Sequence, residues 1–335
     1  MKEYIFMVRQ VLIDRGDAIS TVFSFLLITL IITTTAGAVV LYGMPYINEL
    51  NEKKEKETMR VQFSSLLDEI KGIVSEDQGV GKSIRFPVGE GSLNMDKNSF
   101  DRTIVTYSLD TEYSFYVTGL NDVVNSFNLV NLTDSYETKA RIYQMDEGGS
   151  LLGDYDEDDA LSDGISLPAG EFFEDKMVIY LLNSTDDVLG KIWLFDSNSL
   201  ICSKSNENYN LIFEKAGFLS DQNGNVQMEQ VSIIDEYENY FALRIYQTKA
   251  QDSVSRSGGN ANIYFTNKGN VAQDIGTVYN LRLQFHGGYN NDTWIDYYSD
   301  FTNFVEDPAG NLFVSPSVDG IWFTLMHSII EFNFS

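Results

Sequence analysis

Cysteine is nearly absent from this chain: Cys202 is the single one among 335 residues. No intramolecular disulfide can form, so a folded domain must be held by packing. Cys202 sits between apolar neighbours in Leu200-Ile201-Cys202 and reads as a small buried hydrophobe, or else as an intermolecular bridge in an oxidising exterior. Histidine is almost as scarce, with His286 and His327 alone. That count excludes a His-rich zinc site, and no H-E-x-x-H run exists. A lone Cys with no His nearby gives a thiol protease no support. No G-x-S-x-G elbow and no complete P-loop occur. Gly79-Val80-Gly81-Lys82-Ser83 carries only the end of the P-loop pattern, because Glu76 stands where the upstream glycine is required. It reads as part of a glycine-rich linker, Gly79 to Gly91. Basic residues are outnumbered, 23 Lys and Arg against 49 Asp and Glu, for a net charge of -26. With no Lys/Arg cluster to offset it, this surface repels nucleic acid, which is excluded as a partner. So many carboxylates make pairs inevitable, and pairs alone therefore give no reason to expect glycoside hydrolysis. Nothing in the sequence supports an enzyme.

What the chain does have is a long stretch without charge, Ala18 to Asn48. Val22 to Tyr42 supplies the roughly 20 apolar residues that span a bilayer as a helix. Ser24, Thr29 and Thr33 to Thr35 interrupt it, and such hydroxyls can bond back to the helix's own carbonyls. A buried core helix is the alternative, but charge-free runs of this length favour a membrane span. A secretory signal would have a shorter apolar region followed by a small-residue cleavage site. Here the pattern is reversed. A small residue follows a charged one before the apolar run, twice: Arg15-Gly16 and Asp17-Ala18.

These residues resemble the prepilin signal of archaeal type IV pilin-like proteins, in which a charged residue plus Gly or Ala marks the cut. Ala18-Ile19-Ser20-Thr21-Val22 is similar to the Ala-Val-Ser-Pro-Val start common there, with Thr21 in place of Pro. The resemblance implies a leader, residues 1–18, removed at Gly16 or Ala18 by a prepilin-type peptidase on the cytoplasmic side. It implies that the helix, residues 19–44, stays on the mature protein and passes from the lipid bilayer into a filament core among other pilin-like subunits. It also implies an extracytoplasmic domain, so that the chain is a minor pilin or adhesin. Many pilins carry Glu near the fifth mature residue; here that place holds Thr21 or Phe23, depending on the cut. Flanking charge does not orient the helix by itself, since Lys2, Arg9 and Arg15 precede it and Lys53, Lys54, Lys56 and Arg60 follow. The rival expectation is a single-pass surface protein whose ectodomain binds glycans or cations and never enters a filament.

Pro45 predicts a kink or break at Met44. Beyond it, residues 46–76 predict an amphipathic helix. Phe63, Leu66, Leu67, Ile70, Ile73 and Val74 recur on one face, to pack on the following domain or on neighbouring subunits. Residues 77–335 predict a β-sandwich-like ectodomain, so the fold class is mainly β with a long N-terminal α-helix. Runs rich in Val, Ile, Tyr, Phe and Thr predict strands over 102–107, 113–118, 139–144, 177–182, 191–195, 209–215 and 231–235. Further strands are expected over 240–247, 262–266, 277–285, 294–298 and 321–334. Turns are expected at Asp221 to Asn225, Asn267 to Asn270 and Gly287 to Asn291. Two sub-domains divided near 203–208 are an alternative. Gly217 to Gly259 also faintly resembles the strand-rich core of large archaeal pilin-like ectodomains.

Gly148 to Gly164 reads as an acidic surface loop. Asp154, Asp156 and Asp158 alternate as hard oxygen ligands for Ca2+ would, although Asp159 and Ile165 stand where an EF-type loop needs Gly and Glu. Asn131, Asn183, Asn291 and Asn333 head N-x-S/T sequons, usable as glycosylation sites outside the cell. Trp294, Tyr297 and Tyr298 could stack on a sugar or fill a core.

Overall fold

The computed structural model describes residues 22–97, 101–121, 126–131, 139–144, 151–155, 165–166, 177–204, 208–215, 217–231, 235–237, 240–300, 304–306, 312–314 and 320–335. The fold is mainly β, with one long N-terminal helix, α1 (Val22–Val74). Contacts divide the chain at Thr58 and Met59 into two units.

In the first unit every large apolar side chain from Val22 to Leu50 is exposed, Phe23 at 68% and Leu41 at 70%. This part of α1 is long and apolar enough to cross a membrane. Its threonines are satisfied within the helix: Thr29 donates to the Phe25 carbonyl at 2.8 Å, and Thr33, Thr34 and Thr35 donate to carbonyls four residues back at 2.7 Å. Of the expected kink or break at Pro45, the break does not occur: the helix runs on through it. A π-turn at Val39–Gly43 precedes it, in which the Met44 N–H reaches the Val39 carbonyl. Widening that turn absorbs the missing proline donor and the bulk of its ring.

The second unit has three layers. The C-terminal part of α1 buries Met59, Phe63, Leu66, Leu67, Ile70 and Ile73. It does so on one face of a sheet ordered β13 (Asn225–Val231), β12 (Gly217–Gln222), β11 (Tyr209–Glu214), β10 (Leu200–Lys204), β1 (Gly81–Met95), β16 (Val254–Gly287), β19 (Ile321–Phe334), β15 (Tyr240–Ala250) and β14 (Asp235–Tyr237). All pairs are antiparallel except β15 with β19. The other face of this sheet packs on a second one. Alternation makes both cores at once: in β11, Leu211 and Phe213 face the helix while Ile212 joins the inter-sheet core. Phe63 sits edge-on to Phe86, ring centroids 5.1 Å apart.

The two sheets share β16. It pairs with β1 and β19 up to Val278, then continues through Tyr279 to Gly287 against β2 (Asp101–Ser108). The register slips between Tyr279 and Arg282, where Asn280 has φ 50° and its amide donates to the Tyr113 carbonyl at 2.6 Å. That bulge turns the strand from one sheet into the other. From β2 the second sheet runs through β9 (Val188–Ser197), β8 (Met177–Leu182), β5 (Lys139–Gln144) and β6 (Leu151–Tyr155). On the other side of β16 lie β18 (Leu312–Val314) and β17 (Phe304–Glu306). A small third sheet holds β3 (Phe115–Asn121), β4 (Ser126–Asn131) and β7 (Ile165–Ser166).

Several expectations are corrected. The glycine-rich linker is mostly β1, whose glycines serve bulges and close approaches: Gly89 has φ 61°, and a Cβ on Gly91 would fall 2.2 Å from the Ser203 carbonyl oxygen. Asn267 to Asn270 is not a turn but a bulge inside β16, so 262–266 and 277–285 are one strand. The bulge aims amides at the end of α1. Asn267 donates to the carbonyls of Ile73 at 3.3 Å and Glu76 at 3.0 Å, and Asn270 donates to that of Val74. The Ile73 carbonyl also accepts the Glu76 N–H at 3.0 Å, and the two asparagine side chains complete the cap of the last turn. Residues 294–298 lie in a helix, α2 (Asn291–Ser299), because the Asn290 side chain accepts from the Thr293 N–H as an N-cap. Of the expected 231–235 strand, 232–234 lie outside the described residues; β13 ends at Val231 and β14 begins at Asp235. The strands flanking 203–208, β10 and β11, pair with each other. The expected turn at Asp221 to Asn225 is present, with Asn223 and Gly224 at φ 58° and 84°.

Two substitutions test this arrangement. Phe63→Ala is expected to lower the unfolding free energy of the β domain by about 3–5 kcal/mol in chemical denaturation, while Phe23→Ala leaves it unchanged. Asn267→Ala should cost about 1–3 kcal/mol by removing a buried donor from the helix-end carbonyls. An equal midpoint for Asn267→Ala and wild type would reject the capping role.

Candidate functional site

The chemistry-bearing groups of the β domain converge where the two sheets meet. Every residue of β2 is buried: β9 and β16 flank it in the sheet, and Val105 and Tyr107 join the inter-sheet core. Its first two residues are charged. Arg102 lies opposite Asp196 in the β2–β9 register and holds it bidentately, Nε to Oδ1 at 2.7 Å and Nη2 to Oδ2 at 3.0 Å. The Asp196 carbonyl accepts from the Gln247 amide at 2.6 Å, and Gln247 Oε1 meets His327 Nε2 at 2.9 Å. Since that oxygen can only accept, the imidazole carries its proton on Nε2.

Asp101 enters a second cluster. Its carboxylate forms an ion pair with the ammonium of Lys215, which follows β11 at φ 47°. The side chains are 0% and 3% exposed. The Lys215 Nζ lies 3.7 Å from Glu214 Oε1 and 5.7 Å from the ring centres of Phe285 and Trp294. Glu214 is fixed by three donors: Trp294 Nε1 at 2.8 Å to Oε1, and Ser199 Oγ at 3.0 Å and the Tyr289 N–H at 2.9 Å to Oε2. Gly287 and Gly288, at φ 72° and 77°, lead into α2 over the top of this pair. A Cβ on Gly288 would lie 2.8 Å from Lys215 Nζ and 2.9 Å from Asp101 Oδ1. Only glycine closes the turn that tightly. Burial pushes the Asp101 carboxyl up to about 7; Lys215 opposes the rise and Glu214 adds to it.

The residues singled out in the sequence lie elsewhere. Gly16, Ala18, Asp156 and Asp158 fall outside the described residues. Asp154 is not in a loop: it belongs to β6, opposite Arg141 of β5. Leu151 to Tyr155 is a strand, and the rest of the acidic run, 156–164, lies outside the described residues. Among the described residues, no three or more His, Cys, Asp or Glu are grouped to hold a metal ion. Asn183 sits in an exposed turn, its Oδ1 accepting from Thr185 and Asp187. Asn291 opens α2, Asn131 ends β4, and Asn333 lies in β19, its amide on Gln251. Trp294 and Tyr298 are buried in the inter-sheet core, which removes them from any sugar-stacking face. Cys202 is fully buried, and burial alone pushes its thiol up to about 12.

The Asp101–Lys215–Glu214 cluster is the part that sequence reasoning missed. A readable trace does exist: Asp101-Arg102 and Glu214-Lys215 each put adjacent charges at the end of a strongly apolar strand. No family model, no curated protein and no solved structure matches this chain.

A thiolate is the reacting form of cysteine. Native protein at pH 8 should therefore leave Cys202 unmodified by a soluble thiol reagent over hours, and denatured protein should react fully; rapid native labelling would mean the thiol is not where it is placed here.

Proposed function

We propose that this chain is a membrane-anchored, pilin-like cell-surface structural protein, a minor pilin or adhesin of an archaeal type IV filament, with its N-terminus cytoplasmic and its β domain outside. One observation carries the reading. A single helix exposes every large apolar side chain from Val22 to Leu50 and buries Met59 to Ile73 on the β domain. An uncharged apolar half-helix is soluble in lipid or among its own copies. The amphipathic half supports the domain instead of competing for the same contacts. The leader pattern at Arg15-Gly16 and Asp17-Ala18 supplies the route from one environment to the other. Its removal takes away the charged cytoplasmic tail that keeps the helix in the membrane. The domain's role here is structural, and the partners are the bilayer, the prepilin-type peptidase and like subunits.

A second reading is favoured by one departure. Neither Thr21 nor Phe23 is the acidic residue that many pilins carry near the mature start. The same anchor then holds a surface protein that never enters a filament.

The mass of the native N-terminus decides the processing step. A chain starting at Asp17 or Ile19 is expected; retained Met1 would defeat the prepilin reading. Recovery in sheared surface filaments separates the first reading from the second. Ile31→Lys, at about 2.5–3.5 kcal/mol for a charge at mid-helix, should deplete the chain from alkali-washed membranes. Unchanged membrane retention of that variant would remove the anchor from the argument.

A further inference from the structure

We propose that Lys215 and Asp101 are joined by an intramolecular amide bond between their side chains, with Glu214 as the proton carrier for its formation. The geometry is that of reactants held together. Lys215 Nζ and Asp101 Oδ1 are in direct contact, both side chains are essentially without solvent exposure, and Glu214 Oε1 lies 3.7 Å from the same nitrogen. Among the described residues, neither Asp101 oxygen nor Lys215 Nζ has a hydrogen bond beyond these ion pairs. A permanent salt bridge at this depth would ordinarily recruit further donors and acceptors. Glu214, in contrast, is oriented by Trp294, Ser199 and the Tyr289 N–H, so its carboxylate is positioned without depending on the lysine.

The surroundings set up the reaction. Phe285 and Trp294 line the lysine, and the Gly288 turn closes the site so tightly that no Cβ fits. The condensation starts from the neutral amine and neutral carboxylic acid that one proton transfer within the contact pair produces, and burial favours the neutral acid at Asp101. The raised pKa of Asp101 points the same way. The amine nitrogen then attacks Asp101 Cγ, forming the C–N bond. Glu214 takes a proton from that nitrogen and returns it to the departing oxygen. One C–O bond breaks, water leaves, and Glu214 ends as it began. The net change is carboxylic acid plus amine giving amide plus water, with no oxidation and no co-reactant. Holding both groups in contact replaces a bimolecular encounter, which is the main barrier to such condensation.

The test is the mass of the denatured full chain purified in detergent, compared with the sequence mass from its measured N-terminus. The expected result is a deficit of one water, together with a tryptic branched peptide joining the Asn98–Arg102 fragment to a peptide left uncut at Lys215. Linear peptides with cleavage after Lys215 and no mass deficit overturn the proposal. A deficit that maps to any other residue also overturns it. Glu214→Gln keeps an acceptor for Trp294; with unchanged circular dichroism it should show the full mass and linear peptides. Cross-linking of that variant to the wild-type extent would refute the proton-carrying role. The wild-type measurement stands by itself if the variant does not fold.

Discussion

Everything in this molecule depends on how one helix partitions its side chains between two environments. Charge-free residues occupy α1 up to Asn48, and an apolar stripe begins at Met59. Between them Asn51 to Glu57 is a mixed-charge stretch that belongs in water, with Lys53 and Glu49 paired at 2.7 Å one turn apart. The π-turn at Val39–Gly43 keeps the helix continuous despite Pro45. Polar ties add direction to that packing: Arg60 pairs with Glu229, Ser64 with Gln230 at 2.7 Å, and Lys82 with Glu69 at 2.8 Å.

The β domain answers to the same helix. A sheet that buries Leu211 and Phe213 under α1 must bury its other face too, and Ile212, Leu219 and Phe323 go to the second sheet. β16 solves the joining problem by belonging to both sheets, with the Asn280 bulge as its corner. The bulge at Asn267 serves the opposite end, turning an interruption of the ladder into a cap for the helix. Two irregularities in one strand thus fix its position against the layers on either side.

Legibility in the sequence follows period and length. The stripe Phe63 to Ile73 is readable because its apolar residues, three and four apart, share one helix face and would scatter over both faces of a strand. Strands 139–144, 177–182 and 321–334 are readable because β-branched and aromatic residues fill short bounded runs. Asn-Lys-Gly-Asn at Asn267 misleads because local turn chemistry and a long-range bulge use the same residues. Trp294 to Tyr298 misleads for a related reason: aromatic content speaks for a strand, while the decisive signal is the single Asn290 cap upstream. The pairing of Asp101 with Lys215 cannot be read at all, since the two come together only through the pairing of β2 with β16 and the turn after β11.

That cluster also has to be reconciled with the chain's shortage of covalent options. Burying an ion pair is seldom a net gain over apolar packing, since desolvating each charge costs several kcal/mol that the attraction does not always return. A chain without disulfides, carrying a net charge of -26, has strong self-repulsion to overcome and little reason to retain such a pair for stability alone. Arg102 and Asp196 escape the difficulty by bidentate geometry and the further bonds of Asp196. Lys215 and Asp101 have no such support. Converting their charges to one neutral amide removes the desolvation penalty from both sides, and it ties the turn after β11 to the start of β2 by a bond that mechanical load does not slip.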